Sequence, residues 1–351
     1  MDGLEHMVDH AVSPENGIDF VLVSGDLFDS VRPGFGTVAD TLRQILRLAD
    51  AGVHVYIIGG NHDTPKTTTG TSPLDVLSYM PNVTVAYREF KHVTDMPWNV
   101  NIHMVPFTPD RETFEGYIER SLDALDKDFI NILMLHVSAG DEFIMNTYNE
   151  LVLSHDELAE VAAKYDYVAL GHYHGMQRLD DERVVYPGSL ERMSFNEASD
   201  MDKGFIVGEL DIETNLVTRL DWVTIPTRPM FEMAGLDYND MPAGARPTDW
   251  LLEHIQQYTD RMDGSICRLA VDNVPALVYR ALDFRAIREA ASKSLHFDCK
   301  FSIKEEHVEY NIERVSFRAI PDEWAEFMAG QGLADAEDIE RLGIEHIKKV
   351  V

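Results

Sequence analysis

The chain is short of three things, and each shortage narrows what it can be. Cysteine is the first: there are two in 351 residues, Cys267 and Cys299, without CxxC spacing. That excludes a disulfide framework and a thiolate metal centre, and leaves both as free structural thiols. Basic residues are the second: 30 Lys and Arg face 61 Asp and Glu, a formal net charge of −31. Nucleic-acid binders draw much of their affinity from neutralising phosphates, so this chain needs a local basic face or bound cations to hold a polyanion. An acidic balance of this size also suits a salt-rich host. Long apolar runs are the third. No stretch approaches the roughly 20 residues of a membrane helix, and residues 1–11 carry charges where a signal peptide is apolar. The expected location is therefore the cytoplasm. There is no internal repeat, heptad array or low-complexity tract.

What is present is ordinary globular material, 45% apolar and 26% charged. The length suits one large domain with a smaller one. Apolar runs at 20–23, 53–58, 130–135 and 167–170 predict buried strands. Helical patterns occupy 4–11, 38–51 and 156–164, the last opened by a capping box of Ser154 and Glu157. After Gly188 the texture changes, and 204–210 and 216–225 alternate as antiparallel strands that would finish the sheet. Arg228-Pro229 marks a boundary. From there to about residue 305 the pattern reads strand, helix, strand, helix, strand. Residues 306–351 form a polar, helix-forming tail broken by Pro321, Gly330 and Gly332. The expected domains are 1–227, 228–305 and 306–351.

Three of the four strands run directly into chemistry-capable clusters: Gly25-Asp26-Leu27-Phe28-Asp29, Gly60-Asn61-His62-Asp63 and Gly171-His172-Tyr173-His174. The fourth strand carries His136 just past its apolar core. Strand ends on one side of an open sheet converge in space, which makes a shared site possible. Each cluster alone reads as a turn with a surface histidine. Their coincidence reads as a ligand set, because a carboxylate, an amide oxygen and imidazoles suit manganese, iron or zinc.

In these blocks the sequence resembles the calcineurin-like metallophosphoesterases, whose pattern runs D-x-H, G-D-x-x-D, G-N-H-[DE], a lone His and G-H-x-H. Four of the five blocks stand here in order. A narrower resemblance, to the SbcD and meiotic-recombination nuclease family, rests on Asp26-Leu27-Phe28-Asp29-Ser30-Val31-Arg32-Pro33, on the stretch from Tyr186-Pro187-Gly188 to Arg192-Met193-Ser194-Phe195, and on Lys203-Gly204-Phe205.

The resemblance implies an α/β fold: a calcineurin-like β-sandwich flanked by helices in α/β/β/α layers, with a small α+β capping domain. It implies two divalent ions, typically manganese. Asp26 would bridge them, Asn61, His136 and His172 would complete one, and His174 would reach the other. His62 would be the catalytic histidine, Asp63 would orient it, and Asp29 would support the site from behind. Arg32, Lys66 and Arg192 would meet DNA. The implied activity is exonuclease on double-stranded ends and endonuclease on single strands. It would act in a homodimer, together with a coiled-coil ATPase subunit of the SbcC type. Trp324, Phe327 and Met328, with Ile339, Leu342 and Ile347 on a second helix from Ala334, would dock that partner.

One block departs from the pattern. The family's Asp-x-His should close a strand before the helix at 4–11, and Asp2 and His6, four apart in helical sequence, are a poor substitute. Without that strand a sheet edge would stand open and only part of the second ion's ligand set would be present. The expectation is a chain of impaired activity. Two other readings stay open: a small-molecule phosphoesterase of the same fold, which the acidity suits, and a non-catalytic scaffold subunit.

Overall fold

The computed structural model describes residues 2–67, 69–140, 151–179, 182–197, 201–304, 320–329 and 336–350. Its strands are β1 Phe20–Ser24, β2 His54–Ile58, β3 Val83–Ala86, β4 Lys91–Asp95, β5 Val100–Val105, β6 Ile130–His136, β7 Ser138–Ala139, β8 Val152–Leu153 and β9 Tyr167–Gly171. They continue as β10 Gln177–Arg178, β11 Val184–Tyr186, β12 Lys203–Asp211, β13 Leu216–Ile225, β14 Met230–Glu232, β15 Leu236–Asp237, β16 Ile266–Pro275 and β17 His296–Lys304.

Two of the sheets stack face to face. One has the parallel order β1-β2-β3, and the other runs β10-β11-β9-β6-β5-β4. Side-chain parity explains why. In β2, Tyr56 and Ile58 face the other sheet, where they meet Ile102 and Met104 of β5 and Ile130, Ile132 and Met134 of β6. The alternate residues, Val55 and Ile57, face outward onto Met7 and Val8 of the helix Asp2–Val12 and Ile45 and Leu48 of the helix Phe35–Asp50. On the far side Leu133 and Leu135 pack against Phe114 and Ile118 of the helix Arg111–Asp123 and Leu158 of the helix His155–Ala162. A strand buried on both faces must be apolar at every position, which is why these strands read as continuous runs. The result is the α/β/β/α layering that the resemblance implies. The capping box forms as expected: Ser154 Oγ accepts from Glu157 N, and Glu157 Oε2 accepts from Ser154 N.

The hairpin differs from expectation. Among the described residues β12 pairs only with β13, and does not extend the β1 edge. Between β12 and β1 lies a cavity of about 1120 Å³, lined by Phe20, Leu22, Tyr167, Phe205, Ile206 and Leu210 among others. The hairpin's apolar face still joins the sandwich core through Ile206, Leu210, Val217 and Leu220, so burial holds it in place without a ladder to β1.

Residues 230–304 form a second core around Leu251, Ile255, Cys267, Leu269, Val271 and Ile287. Its strands β14, β15 and β17 all lie parallel to β16, so the first expected strand is split into two short pieces on one edge. Cys267 and Cys299 are free thiols. Two helices, Ile320–Ala329 and Ala336–Val350, close the chain. Pro321 opens the first where a break was expected, because proline's missing N–H costs nothing in a first turn. The expected break at Gly330 and Gly332 and the expected helix start at Ala334 fall outside the described residues. Among the described residues no helix is long and apolar enough to cross a membrane.

A polar layer lies beneath the outer helices. Thr94 Oγ1 donates to Asn101 Oδ1 at 2.8 Å, and Asn131 Oδ1 lies 3.3 Å from both Asn101 Nδ2 and His103 Nε2. His103 is fully buried, its Nδ1 is without a hydrogen-bond partner, and burial pushes its pKa down to about 4. Because the folded value lies below the ordinary one, its contribution to stability is complete above pH 6.5 and is lost as pH falls towards 4. Between pH 7 and pH 5 this costs on the order of 2 kcal/mol. His103→Gln should lose that much less stability than the wild type between these pH values in urea unfolding. Equal losses would contradict the assignment.

Candidate metal centre

Four strand ends deliver the site. In β6 the residues at 130, 132 and 134 face the opposite sheet. His136 continues that row and points to where β1 and β2 terminate. It is 1% exposed. Its Nδ1–H donates to the Ser24 carbonyl at 2.8 Å, which turns Nε2 towards Asn61 Oδ1 at 2.9 Å and Asp26 Oδ2 at 3.2 Å. His172, at the end of β9, brings Nδ1 to 3.2 Å from the same Asn61 oxygen. The ligand atoms of Asp26, His136 and His172 all lie within 4.8 Å of one another. One carboxylate, one amide oxygen and two imidazoles thus meet at a point.

The turns that make this possible are strained or tightly packed. Asp26 and His172 both sit at positive φ, 52° and 110°, a backbone state that costs a non-glycine residue roughly 1–3 kcal/mol. A Cβ at Gly60 would overlap the Asp26 carboxylate and amide, so only glycine lets the β2 turn approach the β1 turn. The His62 amide then donates to Asp26 Oδ1 at 2.9 Å and fixes the carboxylate from the other side.

The charges are arranged for a cation. Burial opposes ionisation of Asp26, but His136 and the His62 amide outweigh it and hold the carboxyl below its usual range. Burial also opposes charge on His136, and the Asp26 carboxylate reverses that, raising its pKa. For His172 burial and then the His136 charge push the pKa down to about 4, so it offers a neutral lone pair at neutral pH. An anionic oxygen, a neutral oxygen and imidazole nitrogens, without a thiolate, fit a divalent ion of the manganese, iron or zinc kind.

The remaining expected residues fall in different places. His62 is exposed at the rim, with Nδ1 at 3.2 Å from the Asp29 carbonyl and 3.3 Å from the Asp29 carboxylate. Asp63, expected to orient His62, turns inward instead. It is fully buried, accepts from Gly60 N at 2.7 Å and Phe28 N at 3.5 Å, and ties the two turns together. Burial pushes its pKa up to about 6. His174 lies outside the tight cluster and pairs through Nδ1 with Glu197 Oε1 at 3.1 Å. It lines the same cavity as Asp26, His62 and His172.

Arg32 and Lys66 are exposed. Arg192, expected as a DNA contact, is partly buried and donates to Thr227 Oγ1, the Met201 carbonyl and the Arg228 carbonyl. Five fixed donors suit a guanidinium to satisfying main-chain carbonyls at such a junction. Asp2 also lies at this junction, accepting from Arg228 at 2.7 Å. Sequence reasoning did not pick out Glu197 or the role of the Ser24 carbonyl.

Asp26→Ala should abolish divalent-ion binding at this cluster in calorimetric titration. Gly60→Ala should weaken it at least about 10-fold by displacing Asp26. Unchanged binding in either variant would contradict this geometry.

Residues 1–176 match the family model described as calcineurin-like phosphoesterase. The chain is 28% identical, over 218 residues, to a protein of Methanococcus maripaludis named DNA double-strand break repair protein Mre11, covering 58% of this chain and 56% of that one. It is 30% identical, over 209 residues, to the uncharacterized metallophosphoesterase YhaO of Bacillus subtilis, covering 58% of this chain and 47% of that one. The chain thus spans about half the length of the curated relatives it matches. With the matched region running through all four strand ends that build the cluster and on to His174, this chain belongs to the calcineurin-like phosphoesterases, a family that works with divalent metal ions.

Proposed function

We propose that this phosphoesterase is a manganese-dependent DNA nuclease, exonucleolytic on double-stranded ends and endonucleolytic on single strands, working in break repair. The observation that carries hydrolysis is the convergence of Asp26, Asn61, His136 and His172 with His62 exposed beside them. The choice of DNA rests on the similarity to the break-repair protein of Methanococcus maripaludis and on the resemblance of the stretch from Asp26 to Pro33 to the SbcD and meiotic-recombination nucleases. Asp26, Asn61, His136 and His172 would hold one ion. His174, together with Asp26, would serve a second. Two divalent ions bound there supply charge to clamp a phosphate and acidify a water for in-line attack. The protein's own part is positional. Asp26 is pinned by the His62 amide, and His136 is turned by the Ser24 carbonyl. Asp29 accepts from His62 Nδ1–H, and the imidazolium form of the ring would carry its second proton on Nε2 and give that proton to the leaving oxygen, leaving a neutral ring.

DNA, a second copy of the chain and a coiled-coil ATPase subunit are the partners this reading implies. In the tail, Trp324 Nε1 donates to the Glu340 carbonyl at 3.2 Å, so that ring belongs to the contact between the two terminal helices. Phe327 and Leu342 are exposed at 56% and 61%, and they are the better candidates for the ATPase. The acidity favours a second reading, hydrolysis of a small phosphodiester, because a charge of −31 repels a polyanion beyond the reach of local cations.

His62→Ala should lower DNA cleavage by about 10²–10⁴-fold while leaving manganese content intact. Loss of the metal in that variant would show His62 to be a ligand. Arg32→Ala with Lys66→Ala should weaken DNA binding and reduce its salt dependence by about two counterions. Rapid cleavage of bis(p-nitrophenyl) phosphate with no cleavage of linear or single-stranded DNA would decide for the small-molecule reading.

A further inference from the structure

Behind His174 lies an ion pair that the proposed chemistry does not use. Lys203, the first residue of β12, is 1% exposed. A buried ammonium is costly unless every proton finds an acceptor. Lys203 Nζ donates to Glu197 Oε2 at 2.5 Å, the His174 carbonyl at 2.7 Å and Ser189 Oγ at 2.9 Å, which accounts for all three donors. The other oxygen of Glu197 accepts from Met193 N at 2.9 Å and Ser194 N at 3.1 Å, and meets His174 Nδ1 at 3.1 Å. His174 is therefore held twice, through its main chain by Lys203 and through its ring by Glu197.

The chemistry of the ring contact sets a protonation pattern. Glu197 serves as an acceptor at both oxygens, Oε2 taking the Lys203 ammonium and Oε1 the Met193 and Ser194 amides. His174 must then carry its hydrogen on Nδ1, which leaves the lone pair on Nε2. The same relation holds at His136, where the Ser24 carbonyl takes the Nδ1 hydrogen. Histidines that bind metals typically donate their second ring hydrogen to such a partner, which fixes both tautomer and orientation. The loop that supplies Met193 and Ser194 also touches β16, since the Arg268 guanidinium lies 4.0 Å from the ring centre of neighbouring Phe195.

We propose that Glu197 and Lys203 are positioning residues that hold His174 with Nε2 open as a ligand for the second divalent ion. This rests on the reading of His174 as a ligand. Nitrogen-15 imidazole spectra of the metal-free protein test the tautomer without needing activity. The wild type should show His174 protonated at Nδ1. Glu197→Ala should show a mixture of tautomers, and Glu197→Gln, which keeps an acceptor oxygen, should largely restore the wild-type pattern. Manganese titration supplies the second readout. Glu197→Ala and Lys203→Met should each weaken the second ion by about 10–100-fold and leave the first unchanged. His174 keeping a pure Nδ1–H tautomer in Glu197→Ala, or unaltered second-ion affinity in that variant when His174→Ala loses it, would overturn the proposal. Should His174→Ala itself leave both ions unaffected, the ligand reading falls and the proposal falls with it. The spectra of Glu197→Ala report the tautomer even if Lys203→Met does not fold.

Discussion

A carboxylate set among the ends of buried strands cannot stay ionised without compensation, and the geometry around Asp26 is arranged to supply it. The His62 amide reaches one oxygen and the His136 ring the other. Those two contacts need the β1 and β2 turns to touch, which Gly60 allows, and need β6 to end beside them, which its pairing with β9 fixes. Asp63 completes the arrangement from below by tying the Gly60 and Phe28 amides together. The sandwich therefore does more than bury apolar surface. It brings the ends of strands from two different sheets close enough for a single ion to be shared.

Much of this was legible in the chain because the informative residues follow strands directly. Asp26, Asn61, His136 and His172 each sit within three residues of a continuous apolar run, and burial on both faces makes such runs visible. Three neighbouring strands escaped for the complementary reason. β5 is interrupted by Asn101 and His103, whose burial depends on a polar network with Asn131 that no local pattern announces. β4 alternates exposed polar residues at a sheet edge, and β3 is four residues long.

Side-chain partners were legible only where they lie close in sequence. Ser154 and Glu157 form the expected box because three positions separate them. The inward turn of Asp63 could not be read, since its partners depend on how two turns nest. Nor could the capture of Arg192 by Thr227 and by the Met201 and Arg228 carbonyls. Lys203 shows the limit most plainly. A lysine beginning a strand ordinarily reads as exposed, yet here it is enclosed and its charge is matched by Glu197 six residues earlier. The cavity between β1 and β12 leads from the apolar core towards Asp26 and His172.

The most direct test of the account is where an ion binds. Crystals grown with manganese and measured at the metal's absorption edge would locate it without reference to activity. The account predicts an anomalous peak contacted by Asp26, Asn61, His136 Nε2 and His172 Nδ1. A manganese peak elsewhere, with His136 Nε2 still bonded to Asp26 and Asn61, would contradict it.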